Sequence, residues 1–181
     1  RLGDYNPGGK LPVSVAHNAG QVPVYYSHPW GSGWHQSESI GFTDYVDCPH
    51  RPRYPFGFGL SYTSFAYADL EISREEVPAG ESVEIAFTVE NTGPVPGDEV
   101  AQLYISDVYA SMTRPVKELA GFARVHLEPG KKKRLAFTLH TSQLAFLDQD
   151  MKWKIEHGQI LVEAAASSED VRLSGSFRID G

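Results

Sequence analysis

The sequence predicts an all-β fold, an antiparallel two-sheet sandwich preceded by an irregular, loop-rich segment. Three observations carry this. Several stretches beyond residue 58 alternate apolar and polar residues with the two-residue period of a half-buried strand. Turn residues separate those stretches at short intervals. Residues 1–58 are instead crowded with proline and glycine, holding 7 of the 12 prolines and 8 of the 17 glycines.

The strands follow in order. Ala68–Ser73 is the first candidate. Val83, Ile85, Phe87 and Val89 alternate with Ser82, Glu84, Ala86, Thr88 and Glu90. Val100–Asp107 and Glu118–Leu127 come next, and then Leu135, Phe137 and Leu139 alternate with Arg134, Ala136, Thr138 and His140. Lys152–Glu156, Gln159–Ala165 and the alternating run from Val171 to Ile179 complete seven or eight antiparallel strands. Turns are expected at Pro78-Ala-Gly80, Asn91-Thr-Gly93-Pro94, Glu128-Pro-Gly130 and His157-Gly158. Only Thr141–Phe146 reads as helical, for about a turn. Each inward Val, Ile, Leu or Phe stabilises by roughly 1.5–3 kcal/mol when fully buried, so this half is expected to fold alone.

The first 58 residues hold 10 of the 21 aromatic residues, whereas disordered linkers are poor in them. The segment therefore reads as a loop that packs on a surface, one expected to be missing from the chain. The net charge of −7 belongs entirely to the remainder, because the four basic and four acidic residues of the first 58 cancel. An acidic chain argues against a nucleic-acid or anionic-membrane partner, and no apolar run approaches a membrane span. The single cysteine, Cys48, excludes an internal disulfide. The chain opens on Arg1 with no secretory signal, so it reads as a piece of something longer. Bacterial cytoplasm, periplasm and secretion all stay open for a soluble protein.

Motif by motif, chemistry is sparse. Lys131–Arg134 follows Pro129-Gly130 and opens a strand, so it reads as a solvated hairpin end. His17, His28, His35, His50 and Cys48 match no common ligand spacing, and neither metal nor cofactor is expected. Gly57-Phe-Gly59 lacks the lysine of a phosphate loop and reads as a tight turn. Glycoside hydrolysis needs a carboxylate pair at about 5–9.5 Å, and nothing places Glu38, Asp44 and Asp47 in register. Trp30, Trp34 and His35 are the candidate substrate-binding residues: an aromatic plane beside a polar donor suits a sugar ring. Anchoring to a neighbouring domain is the equal alternative for the tryptophans. On the sandwich itself, Tyr104 and Tyr109 are expected on the solvent face.

Several stretches resemble the C-terminal region of glycoside hydrolase family 3. They are Gly3-Asp-Tyr-Asn-Pro-Gly-Gly-Lys-Leu-Pro-Val-Ser14, Gly20-Gln-Val-Pro-Val-Tyr-Tyr26 and Arg53-Tyr-Pro-Phe-Gly-Phe-Gly-Leu-Ser-Tyr-Thr-Ser-Phe65. Asn91-Thr-Gly93 with Gly97-Asp-Glu-Val-Ala-Gln-Leu-Tyr104, and Arg114-Pro-Val-Lys-Glu-Leu-Ala-Gly-Phe122, continue the match in the family's order. The resemblance implies β-glucosidases, β-xylosidases and relatives, built as a barrel, an (α/β)6 sandwich domain and a fibronectin type III-like, immunoglobulin-like domain. It assigns residues 1–58 to the tail of the (α/β)6 domain with its connecting aromatic loop, and 59–181 to the fibronectin type III-like domain.

It also implies that the catalytic residues lie upstream: no position matches the family's aspartate nucleophile or acid/base glutamate. The chain alone is then expected to be inactive, a non-catalytic part that braces the upstream catalytic domains of the same enzyme. The loop Tyr25–Asp47 resembles an insertion that reaches the rim of the active site, which would bring these residues to a β-linked oligosaccharide or glycoside. The alternative from another class is a stand-alone carbohydrate- or protein-binding sandwich module.

Overall fold

The computed structural model describes residues 3–30 and 49–180. Trp34, His35, Glu38, Asp44, Asp47 and Cys48 lie outside the described residues. Among the described residues ten strands follow one another: β1 (Phe65–Ile72), β2 (Glu76–Pro78), β3 (Ser82–Asn91), β4 (Gly97–Asp107), β5 (Glu118–Leu127), β6 (Lys132–His140), β7 (Phe146–Leu147), β8 (Trp153–Lys154), β9 (Gly158–Ser167) and β10 (Asp170–Asp180). They form a three-stranded sheet β1-β3-β6, a five-stranded sheet β2-β10-β9-β4-β5, and the small hairpin β7-β8. The all-β sandwich read from the sequence is the fold observed.

The core is the interior the alternation demanded. Val83, Ile85, Phe87 and Val89 of β3 are all fully buried. They meet Leu103 and Ile105 of β4, Val125 and Leu127 of β5, Ile160 and Val162 of β9, and Phe177 and Ile179 of β10. Phe87 lies between Tyr67 and Phe137, with ring centroids 5.8 and 5.7 Å away. Antiparallel register runs unbroken from Ser82↔His140 to Glu90↔Lys132. A bulge between Ala68 and Glu71 interrupts β1, where Asp69 takes φ 56°, as bulges at sheet edges do.

Two local expectations change. Glu76–Pro78 pairs parallel with Arg178–Asp180, adding a parallel edge to an otherwise antiparallel sandwich. The turn expected at Pro78-Ala-Gly80 exists, closed by Glu81 N–H donating to the Pro78 carbonyl at 3.1 Å. The strand before it was hidden because its three residues are too few for a periodic signal and end on proline, which sheets accept only at an edge. The helical turn shortens to a 3-10 turn, Thr141–Leu144. Its backbone is capped by the His140 side chain, which accepts from Ser142 N–H at 3.2 Å.

Asn91 closes the end of β3. It is fully buried, donates to the carbonyls of Val95 and Leu127 at 2.8 Å each, and accepts from Thr63 Oγ1 at 2.6 Å. The Gly93 N–H donates to the same oxygen at 3.1 Å. The Asn-Thr-Gly turn signal therefore also marks a buried polar hub.

Candidate functional site

Strand β4 turns Gln102, Tyr104 and Ser106 away from the core, yet all three are buried and Tyr104 completely so. The loop-rich segment covers Gln102 and Tyr104, while Ser106 Oγ donates to the Val116 carbonyl at 2.7 Å. Tyr26 stacks on Phe56 at 4.3 Å and meets Tyr104 edge-on at 5.9 Å. The Tyr104 hydroxyl donates to Gln102 Oε1 at 2.6 Å. Gln102 Nε2 donates to the carbonyls of Gly57 and Ala166 at 3.1 and 3.0 Å. Burial pushes the Tyr104 phenol above its ordinary range. Tyr104 is thus not the solvent-face aromatic its strand position suggested. The surface that receives the aromatic loop is in good part this chain's own sheet. Tyr109, by contrast, is 81% exposed.

A partly buried ion pair pins the segment a second time. Lys10 Nζ donates to Glu99 Oε1 at 3.3 Å, and the Tyr67 hydroxyl donates to the same oxygen at 2.8 Å. Burial and the adjacent Glu99 carboxylate push the Tyr67 phenol up. Gln21 gathers the return of the chain, donating to the carbonyls of Pro49, His50 and Arg51 within 2.9 Å.

The third attachment positions Trp30. Pro29 forms an antiparallel bridge with Pro115, and Val116 N–H donates to the His28 carbonyl at 2.9 Å. Trp30 therefore stands beside the β4–β5 loop, 56% exposed, while His28 is buried. That loop is held rigidly. Ser111 donates through its N–H and Oγ to Glu156 at 2.8 and 2.5 Å. Hydrogen bonds from Lys154 and then Ser111 hold the Glu156 carboxyl down at about 2. The Arg114 guanidinium lies 5.1 Å from the Phe146 ring and donates to Glu118 at 3.0 Å. Burial raises the Asp107 carboxyl against the opposite pull of Arg114.

Of the three candidate substrate-binding residues, the structure places Trp30 in an exposed position on a fixed support; Trp34 and His35 lie outside the described residues. Among the described residues no group of three or more His, Cys, Asp or Glu is gathered as for a metal. The pinned segment also leaves apolar groups exposed: Val13, Val22 and Tyr25 are 58%, 66% and 65% exposed.

A sandwich of this topology defines a class before any particular relative. Residues 99–168 match the fibronectin type III-like domain family. Over 98% of its length the chain is 41% identical to a periplasmic β-glucosidase of Salmonella typhimurium, and spans 23% of that protein. It is 37% identical to a putative β-xylosidase of Formosa agariphila, again over 98% of this chain and 22% of the relative. The structure superimposes on a β-glucosidase from Erythrobacter marinus with a TM-score of 0.87 and 37% identity, covering 98% of this chain and 22% of the other. The chain corresponds to the C-terminal region of family 3 glycoside hydrolases of the β-glucosidase and β-xylosidase type, including their fibronectin type III-like domain. It spans less than a quarter of the length of these relatives.

Proposed function

We propose that this chain is the non-catalytic C-terminal part of a β-glycosidase acting on β-glucosides or β-xylosides. It braces the upstream catalytic domains and presents Trp30 toward the substrate entrance. The boundary between the two roles falls near residue 58, with 1–58 as the tail and connecting loop of the preceding domain. One observation carries the reading: Val13, Val22 and Tyr25 are exposed on a segment that is itself pinned to the sheet. Exposed apolar groups on a rigid support suit a permanent intramolecular neighbour.

The test is complementation. Co-expressed with the upstream region of its own coding sequence, the 181-residue chain should co-purify and restore release of nitrophenol from β-glucoside or β-xyloside reporters. The chain alone should release none. Val22→Asp with Tyr25→Asp should weaken the pairing by about tenfold, or about 1.4 kcal/mol. Turnover by the isolated chain, or pairing indifferent to both substitutions, overturns the reading. Trp30→Ala in the reassembled enzyme should raise KM with little change in kcat, as loss of a uniform binding contact does.

A further inference from the structure

The loop-rich segment is braced within itself as well as against the sandwich. Leu11 N–H donates to the Phe58 carbonyl and Gly57 N–H to the Leu11 carbonyl, both at 2.8 Å. Val15 N–H donates to the Tyr54 carbonyl and Arg53 N–H to the Val15 carbonyl, again at 2.8 Å. Gln21 gathers the carbonyls of Pro49, His50 and Arg51, and Tyr26 stacks on Phe56. The two described stretches, residues 3–30 and 49–58, are therefore one cross-braced body.

That body meets the sandwich at separate, mostly polar points. The His28 carbonyl accepts from Val116 N–H and the Phe56 carbonyl from Ser168 N–H, each at 2.9 Å. Two ion pairs also cross the seam. Arg51 reaches Glu169 at 3.8 Å with its guanidinium mostly in solvent, whereas Lys10 and Glu99, 3.3 Å apart, are both largely covered. Glu99 shares the inward face of β4 with Ala101 and Leu103. Tyr67, on β1 of the other sheet, donates to the same Glu99 oxygen as Lys10. The Lys10 ammonium thus ties the segment to both sheets at once. Gly59 leaves room for it, because a Cβ there would sit 2.4 Å from the Gly9 carbonyl oxygen and 2.8 Å from Lys10 Cδ. Arg172, beside Tyr67, is committed to Asp170, so Lys10 is the cation that matches Glu99.

The seam is polar where the core is apolar. Its hydrogen bonds and its ion pair add little net stability while complete, yet breaking them one-sidedly is costly. A cross-braced body on such a seam opens at lower free energy than the core beneath it. We infer that residues 3–30 and 49–58 form one strap that lifts from the sandwich as a unit, hinged at the irregular residues 59–64 and latched by Lys10 on Glu99. Val13, Val22 and Tyr25 ride on this strap, so an upstream neighbour docked there can tilt against the sandwich without unfolding it. Every contact invoked lies within this chain, so failure of the inference and failure of the proposed function are distinguishable.

The experiment is native-state amide exchange, followed by NMR on the 181-residue chain in rising sub-denaturing urea. Val116 and Ser168 donate from the sandwich to two separate points of the strap, so their amides report its release. In the wild type both should share one opening free energy and one urea slope, each smaller than those of the β3 amides, because less surface is exposed. Lys10→Met leaves Glu99 covered and unmatched, and should quicken both amides by the same factor, on the order of 100-fold. Lys10→Arg keeps the charge and should keep most of the protection. Lys10→Met combined with Glu99→Gln removes the stranded charge and should recover part of the loss. Should Lys10→Met fail to fold, the wild-type urea slopes decide alone. Unequal opening of Val116 and Ser168, opening no easier than that of β3, or a Val116 amide indifferent to Lys10→Met overturns the inference.

Discussion

The Gly57 carbonyl accepts a hydrogen bond from Gln102 Nε2 at 3.1 Å, and Gly57 itself takes φ +79°. This contact joins the loop-rich segment to the outer face of β4. A Cβ at Gly57 would overlap the Gln102 amide. Gly57→Ala should therefore combine left-handed backbone strain with displacement of the amide, costing about 2–3 kcal/mol. Thermal melting should show a drop of roughly 4–12 °C for a chain of this size. Limited proteolysis should cut the segment before residue 58 first, since its attachment and not the core is weakened.

Phe87→Ala tests the sandwich core. The ring is fully buried between Tyr67 and Phe137, and truncating such a ring costs about 3–5 kcal/mol. Urea denaturation should show a lower midpoint with an unchanged slope. An unchanged midpoint would mean the ring is not where the register puts it.

Asn91→Leu keeps the volume and removes the polar hub. The carbonyls of Val95 and Leu127 and the Thr63 hydroxyl would lose their partner in a buried place. Each unsatisfied buried group costs about 1–3 kcal/mol. The variant should melt well below the wild type despite its greater hydrophobicity, and amide exchange should quicken at Gly93, which donates to Asn91.

A pH dependence follows from Asp98 and His126. Hydrogen bonds from Arg124 and then His126 lower the Asp98 carboxyl, and the bond to Asp98 raises His126, with Glu128 adding to it. The histidine contribution is full below the ordinary histidine value of about 6.5 and is lost as pH rises through the raised one. The aspartate contribution is present above about 3.9 and is lost as pH falls through the lowered value. Both act together between about pH 4 and 6.5. The melting difference between wild type and His126→Gln should be largest in that window and shrink at alkaline pH. A difference that grows with rising pH would contradict the pairing.

Much of the fold was legible because strand periodicity is local. Val83 to Val89 and Leu135 to Leu139 declare an inner face by alternation alone, and their pairing follows once two such faces meet. Glu76–Pro78 was not legible, since its partner lies about a hundred residues away at Arg178–Asp180. Tyr104 misled for a related reason. Alternation puts it opposite Leu103, hence outward, but cannot reveal that Tyr26 and Phe56 return to cover it. The signal was present in another form: Val100 to Asp107 is rich in uncharged residues on both faces, the pattern of a strand covered twice.

The candidate site divides the same way. Trp30 was legible as an aromatic in a loop, while its support at Pro115 and Val116 was not.

The sequence by itself determined the sandwich, its polar outer edges, the change of composition near residue 58 and the kinship with family 3 glycoside hydrolases. Those properties reside in short-range pattern and motif order. Only the tertiary structure decided that the aromatic loop is bound to its own sheet through Gln102, Tyr104 and Glu99, leaving Val22, Tyr25 and Trp30 outward. Burial of a side chain depends on what the whole chain brings against it, and no local period encodes that.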